Sequence, residues 1–184
     1  MTKKSQSIFS TETQLVYETV VNGNQGVLLL EKGKPQFLNS TLKQVMATNE
    51  KYFATNLQIS KKFAKDIIGT SHGAPYFFMD LVFVPIESYN RSVILYISLN
   101  HVKRFVDEES NENETVLELT YGVKVRLAMK ESPVIKRIAN ASFLKDQYVL
   151  RKQPMIRRKN EEEKNFEIIK EHGNVYYTNK KTES

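Results

Sequence analysis

Cysteine and tryptophan are absent from the 184 residues of this sequence, and histidine occurs only three times. The absence of thiols excludes disulfide bonds and thiolate metal sites. His72, His101 and His172 follow no HExxH pattern and are not spaced as ligands on one helix, so we predict no metal site. We also expect no cofactor, because the sequence contains no motif that binds one.

Glycine is scarce as well, with seven scattered residues. The sequence therefore has neither a phosphate-binding loop nor a dinucleotide-binding fingerprint, since both need closely spaced glycines. The adjacent Ser71 and His72 suggest a nucleophile and its base, but neighbouring side chains rarely face each other and no third residue orients them. Without a catalytic pattern, we predict that the protein is not an enzyme.

No hydrophobic run approaches the roughly 20 residues that a membrane-spanning helix requires. The N-terminal residues lack the apolar stretch of a secretion signal, so we predict a cytoplasmic protein. What the sequence does contain is 40% hydrophobic and 10% aromatic residues, which suffices for one domain with a core. Its net charge of +6 favours an anionic partner, either nucleic acid or an acidic membrane surface.

Alternating apolar residues predict strands in the first half of the chain. Residues 15–21 and 26–30 lie on either side of Asn22-Gly23, a dipeptide that favours a type I′ hairpin turn. Residues 76–85 and 91–99 are too apolar to be solvated on both faces, and a polar turn separates them. We therefore expect these two strands at the centre of a sheet.

A further hairpin is predicted around Gly122, with strands at residues 115–121 and 123–129. In its second strand, Lys124 and Arg126 alternate with apolar residues. Because successive side chains of a strand point to opposite faces, both bases are exposed on one face.

Three helices complete the prediction. The first is short and is capped by Ser40, and the last begins at Ser132-Pro133 and continues to about residue 151. The second spans residues 57–68 and stops at Gly69. Its apolar residues recur at four-residue spacing and predict a packing face, whereas its lysines lie on the other arc; the two sets are Ile59, Phe63 and Ile67, and Lys61, Lys62 and Lys65.

The predicted fold class is therefore α+β, an antiparallel sheet with short helices and a C-terminal helix. The order of strands is compatible with a pleckstrin-homology-like half barrel. We assign residues 1–13 to an N-terminal tail, 14–151 to a single α+β domain that binds DNA, and 152–184 to a charged C-terminal tail, since the composition becomes polar and charged from Lys152 onward.

An ordered set of residues gives the chain a family resemblance over residues 39–148. These residues are His72, Pro75, Phe83, Pro85, Arg91, Ile97, Ser98, His101, Val102, Lys103, Phe105, Gly122, Leu127, Phe143 and Leu144. In their order and approximate spacing the chain resembles the ComK family of competence transcription factors.

The resemblance implies a transcriptional activator of DNA-uptake genes that binds A·T-rich DNA through the minor groove as a homo-oligomer, in dimers or a tetramer. RNA polymerase and an adaptor of a Clp protease are further partners that it implies, and no membrane is among them. This route to DNA also suits the helices, because none is joined to another by the short turn of a helix-turn-helix motif.

Several basic residues are candidates for DNA contact, since a narrow A·T minor groove attracts Arg and Lys. We select Lys61, Lys62, Lys65, Arg91, His101, Lys103 and Arg104. Each can also be a solvent-exposed residue without a role in binding, on a helix face or in a turn. For the adaptor, the candidates are Phe166, Ile168 and Ile169, the concentrated apolar residues of the tail.

The architecture also supports a second hypothesis. Consecutive antiparallel strands followed by a terminal helix are the order of a pleckstrin-homology-like module, which would bind a protein or an acidic lipid surface. Fold alone does not choose between the two, because one fold supports many functions.

Overall fold

The computed structural model describes residues 7–87, 94–106, 113–171 and 174–179, with side chains as far as Arg151 except that of Glu87. The chain divides into two compact units, Met1–Leu144 and Lys145–Ser184. We describe each unit by itself.

The N-terminal strands form a three-stranded meander of β1 (Thr13–Val21), β2 (Asn24–Glu31) and β3 (Lys34–Leu38). Asn22-Gly23 joins the first two strands, and Lys32-Gly33 joins the second pair. All four of these residues have positive φ, between 50° and 77°, as type I′ turns require. The hairpin predicted at Asn22-Gly23 is therefore confirmed.

Three more strands extend this meander into a six-stranded antiparallel sheet. They are β4 (Tyr76–Phe78), β5 (Leu81–Glu87) and β6 (Ile94–Ser98), and the order across the sheet is β3-β2-β1-β6-β5-β4. The prediction of one strand over residues 76–85 is wrong, because the chain reverses at Met79-Asp80, where Met79 has a φ of 56°. The apolar run is continuous across this turn, so it conceals the reversal.

Two short helices follow the first meander. Helix α1 (Leu42–Tyr52) is capped by Thr41, which forms a capping box with Gln44, and not by Ser40 as predicted. Helix α2 (Leu57–Ile68) has the predicted bounds and ends at Gly69 in the left-handed conformation. Its packing face is rotated from the prediction, because Ser60 and Ala64 are its buried residues and Ile59 is 56% exposed.

The second sheet of the N-terminal unit has three antiparallel strands, β7 (Val102–Val106), β8 (Thr115–Leu119) and β9 (Lys124–Leu127). A short 3₁₀ turn at Thr120–Gly122 connects β8 to β9, as the predicted hairpin around Gly122 requires. Helix α3 (Glu131–Asn165) follows, and is longer than the predicted helix.

The hairpin of β10 (Phe166–Glu171) and β11 (Asn174–Asn179) belongs to the second unit. Phe166, Ile168 and Ile169 lie in β10, where Ile168 pairs with Tyr177 and Ile169 with Tyr176.

The core of the N-terminal unit lies on both faces of the six-stranded sheet. On one face, Phe9 and residues of α1 pack on a cluster that contains Val16, Leu29 and Phe83. On the other face, the three-stranded sheet and the start of α3 pack on residues of β1, β5 and β6. Apolar residues at alternate positions of the central strands therefore bury both sides of the sheet.

The fold class is α+β, as predicted, with antiparallel sheets, short helices and a C-terminal helix. In the described part of the chain the strands close no barrel. None of the helices described is both long enough and apolar enough to cross a membrane. The predicted boundaries of the domain and its tails remain predictions, although Phe9, which lies in the predicted N-terminal tail, is only 3% exposed and packs against Phe78 and Phe83.

Candidate nucleic-acid interface

One face of the three-stranded sheet packs on the core, and the other carries exposed basic residues beside the buried Val116. Phe105, Leu117 and Val125 are paired across its strands; Leu117 and Val125 belong to the core cluster, and the partly buried Phe105 packs against it. The neighbouring row, offset by one residue, consists of Arg104, Glu118 and Lys124. Because successive residues of a strand face opposite sides, this charged row lies on the outer surface.

A β-bulge in β7 places two adjacent bases on that outer surface. The pairing advances by two residues in β7, from Val102 to Arg104, while it advances by one in β8, from Leu119 to Glu118. Such a bulge breaks the strict alternation of side chains. Lys103 and Arg104 are consequently both exposed, and both reach the same carboxylate, that of Glu118.

Strand β9 contributes two more bases to this surface. Lys124 and Arg126 are exposed and lie two residues apart, with Val125 buried between them. Arg126 Nη1 donates a hydrogen bond to Glu114 Oε2 at 3.1 Å. We call the surface formed by Lys103, Arg104, Lys124 and Arg126 the basic face.

Glu118 lies within the basic face and forms ion pairs with Lys103 and Arg104. Arg104 Nε donates to Glu118 Oε2 at 2.7 Å, and Lys103 Nζ lies 3.8 Å from Glu118 Oε1. The hydrogen bond from Arg104, with the positive charges of Arg104, Lys103 and Lys124, lowers the pKa of Glu118 below its ordinary value of 4.5. The carboxylate therefore stays ionised and holds the bases near one another, where an incoming phosphate can compete for them.

His101, which immediately precedes β7, is placed differently from its two basic neighbours. Its ring is 6% exposed, with Nδ1 2.5 Å from Thr120 Oγ1 and Nε2 2.7 Å from the carbonyl oxygen of Thr11. Both nitrogens thus have partners inside the protein. A solvent-side contact with DNA is not the role that this geometry favours, although His101 was among the residues predicted to contact DNA.

The lysines of α2 form a separate basic surface. Lys62 and Lys65 are exposed and Lys61 is half-buried. Helix α2 packs beside β4, at the edge of the six-stranded sheet, where the Phe77 N–H donates to Ser60 Oγ at 3.3 Å. These lysines therefore belong to another element than the basic face, and each surface has to be tested by itself.

The remaining predicted site residues are not defined at the level of side chains. Arg91 lies outside the described residues. For Phe166, Ile168 and Ile169 the structure describes the backbone of β10 but not the side chains. The adaptor contact assigned to them stays a prediction.

Lys124 and Arg126 were not among the predicted site residues. The alternation in residues 123–127 already indicated that both are exposed on one face. What the sequence did not indicate is that Lys124 stands in the same row as Arg104, because only the register of β7, β8 and β9 brings them together. In the described part of the chain, no group of three or more His, Asp and Glu residues could hold a metal ion.

Comparison with known protein families identifies the family of this chain. The family model described as ComK protein matches residues 6–153. No match was found among curated proteins or among solved structures. The family match includes the basic face, α2 and the core on both sides of the six-stranded sheet. Because it also covers well over half of the chain, the protein belongs to the ComK family.

Proposed function

We propose that this protein is a transcriptional activator of competence genes that binds A·T-rich promoter DNA through the minor groove as a homo-oligomer. The ComK family is a family of competence transcription factors, so a role in transcription regulation follows from membership. The observation that supports DNA contact by this chain is the basic face, which gathers four cationic side chains on the outer side of one small sheet.

The chemistry of the basic face suits a nucleic-acid backbone. Lys and Arg side chains neutralise phosphates and release counterions, which provides affinity without reading the sequence. A preference for A·T pairs can come from groove shape, because a narrow minor groove concentrates negative potential and attracts Arg. In this proposal Arg104 and Arg126 provide the groove contacts, whereas Lys103 and Lys124 contact phosphates.

The other predicted residues provide further contacts in the proposal, with DNA or with protein partners. Lys61, Lys62 and Lys65 on α2 form a second phosphate-contacting surface, and Arg91 remains a candidate contact. Residues 14–151 act as the DNA-binding domain, with residues 1–13 and 152–184 as its tails. RNA polymerase is a further partner, and Phe166, Ile168 and Ile169 in the C-terminal tail contact an adaptor of a Clp protease. A cytoplasmic location accords with all of these partners.

A salt titration on two duplexes tests the proposal. The purified protein is bound to an A·T-rich duplex and to a G·C-rich duplex of equal length, and affinity is measured at increasing salt. If the oligomer neutralises six to ten phosphates, affinity for either duplex falls by about 10³ to 10⁵ between 50 and 200 mM salt. We expect tighter binding to the A·T-rich duplex at every salt concentration. Equal affinity for the two duplexes throughout would contradict recognition of A·T-rich DNA.

The same protein distinguishes DNA from the second hypothesis, an acidic lipid or protein surface. Vesicles that contain anionic lipid are sedimented with the protein in the presence and absence of A·T-rich competitor DNA. We expect DNA to displace any bound protein, because the basic face would serve both ligands. Sedimentation that competitor DNA does not affect would favour the pleckstrin-homology-like function.

A further inference from the structure

The buried imidazole of His101 connects the two sheets of the N-terminal unit. A backbone carbonyl can only accept a hydrogen bond, so Nε2 of His101 carries the proton that is donated to Thr11 O at 2.7 Å. Nδ1 lies 2.5 Å from the hydroxyl oxygen of Thr120, which can serve as either donor or acceptor. The ring thus uses both nitrogens, one toward the segment before β1 and the other toward the β8–β9 turn.

Gln14 on β1 makes a second connection between the six-stranded sheet and the β8–β9 turn. This side chain is fully buried, and its Nε2 donates to the carbonyl oxygen of Thr120 at 2.7 Å. Its Oε1 accepts from the N–H of Gly33, in the β2–β3 turn, at 2.6 Å. The β8–β9 turn is therefore held by β1 and the β2–β3 turn of the other sheet through a polar network in which each described group has a partner.

This network lies at the start of both strands that carry the basic face. Lys103 is two residues after His101 on β7, and Lys124 is four residues after Thr120 on β9. Buried polar networks specify one geometry when they are complete, because an unpaired buried donor or acceptor is costly. The hydrogen bonds of His101 and Thr120 accordingly fix where the two outer strands begin relative to the large sheet.

We infer that His101 is a positioning residue for DNA binding, which acts through the placement of Lys103, Arg104, Lys124 and Arg126 and not through contact with DNA. The inference rests on the proposed function of the basic face. Binding sites need their contacting groups held within a fraction of an ångström by supporting side chains. A ring that ties the start of β7 and the β8–β9 turn to the segment before β1 provides that support.

The test compares His101→Leu with Asn49→Leu. Asn49 is also fully buried and also holds a segment before β1, since its Oδ1 accepts from the N–H of Phe9 at 2.7 Å, but it lies on α1 against the opposite face of the six-stranded sheet. At a temperature at which circular dichroism shows both variants folded, we expect His101→Leu to weaken binding of the A·T-rich duplex about fivefold or more. Asn49→Leu should bind as tightly as the wild type.

Two further variants keep the inference testable if His101→Leu does not fold. Thr120→Val removes the hydroxyl that lies 2.5 Å from Nδ1 and that also accepts from Gln14 Nε2 at 3.3 Å, and it should weaken binding in the same direction. His101→Gln retains an N–H donor and a carbonyl acceptor and should restore most of the affinity. The salt dependence of binding should become shallower in Thr120→Val and His101→Leu, because fewer phosphates are contacted.

Wild-type affinity and salt dependence in His101→Leu or Thr120→Val would overturn the inference, as would an equal loss in Asn49→Leu. Amide hydrogen exchange of β7 and β9 in the free protein separates this failure from failure of the proposed function. If the wild type shows no preference for A·T-rich DNA, the proposed function fails by itself. In that case, faster exchange of β7 and β9 in His101→Leu but not in Asn49→Leu still supports the positioning role, whereas unchanged exchange contradicts it.

Discussion

At the scale of single residues, Glu118 determines how the basic face is presented. It holds Lys103 and Arg104 through one carboxylate, in ion pairs whose basic partners are exposed while the Glu118 side chain is 17% exposed. Exposed pairs of this kind exchange readily with other ligands, because water and salt screen them. The face can therefore keep its shape without DNA and still release its bases to phosphates.

Lys103→Ala should weaken DNA binding on every sequence and make its salt dependence shallower, because Lys103 contacts a phosphate in the proposal. Removing one phosphate contact reduces the slope of log affinity against log salt by about 1. A matched control is Lys43→Ala, which removes the same charge from an exposed position of α1, on the other side of the six-stranded sheet. If both variants show the same slope as the wild type in fluorescence anisotropy, Lys103 does not contact a phosphate.

The lowered pKa of Glu118 makes stability depend on pH at the acid end. Its ordinary value is 4.5 and its folded value is lower, so the ionised carboxylate stabilises the folded state above pH 4.5. That contribution is lost as the pH falls through the folded pKa. Urea unfolding at a series of pH values from about 5 downward should therefore show a steeper loss of stability in the wild type than in Glu118→Gln. Parallel curves for the two proteins would show that the pairing contributes nothing to folding.

At the scale of elements, α3 contributes one face to the core. Val134, Ala141 and Leu144 are fully buried, the first two in the cluster beneath the three-stranded sheet, whereas Phe143, next to Leu144, is 48% exposed. The spacing of seven and three residues between the buried positions is that of one helix face. Two consecutive apolar residues of the same helix therefore have opposite environments.

Leu144→Ala should destabilise the protein by about 2–5 kcal/mol, since it removes buried contacts and leaves a cavity. Phe143→Ala, its matched control, should change the free energy of unfolding by no more than about 0.5 kcal/mol, as for most surface substitutions. Both values are obtained from urea unfolding followed by circular dichroism. Equal destabilisation by the two substitutions would show that Phe143 is covered in solution.

At the scale of the whole molecule, the chain consists of two units, and the first should fold without the C-terminal tail. The family match ends at residue 153, close to the boundary at Arg151 that the change in composition predicts. The core of the first unit contains no residue beyond Leu144 among those described. Folding of the first unit should then not depend on residues 152–184.

Deletion of residues 152–184 should leave the urea midpoint unchanged and lengthen the lifetime of the protein in cells that contain the Clp protease. The reason is that the proposed adaptor contact, Phe166, Ile168 and Ile169, is removed with the tail. Full-length protein with these three residues changed to alanine is the control, and it should turn over as slowly as the truncated chain. Unchanged turnover in both would contradict an adaptor contact in the tail.

Local signals in the sequence determined most of the secondary structure. Asn22-Gly23 predicted its hairpin because these residues tolerate positive φ, and Gly69 predicted the end of α2 for the same reason. Where a signal was weak, prediction failed. The run from Tyr76 to Pro85 is apolar on both sides of the Met79-Asp80 turn, so no change of pattern marked the reversal.

By itself, the sequence determined the family, the fold class and the pool of basic residues, because these depend on residue identity and on local periodicity. Only the tertiary structure decided which of those bases act together. A bulge exposes Lys103 and Arg104 on the same face, and the strand register places Lys124 in the same row as Arg104. The neighbouring His101 is buried instead. Register and burial depend on contacts between residues far apart in the chain, and a local pattern does not contain them.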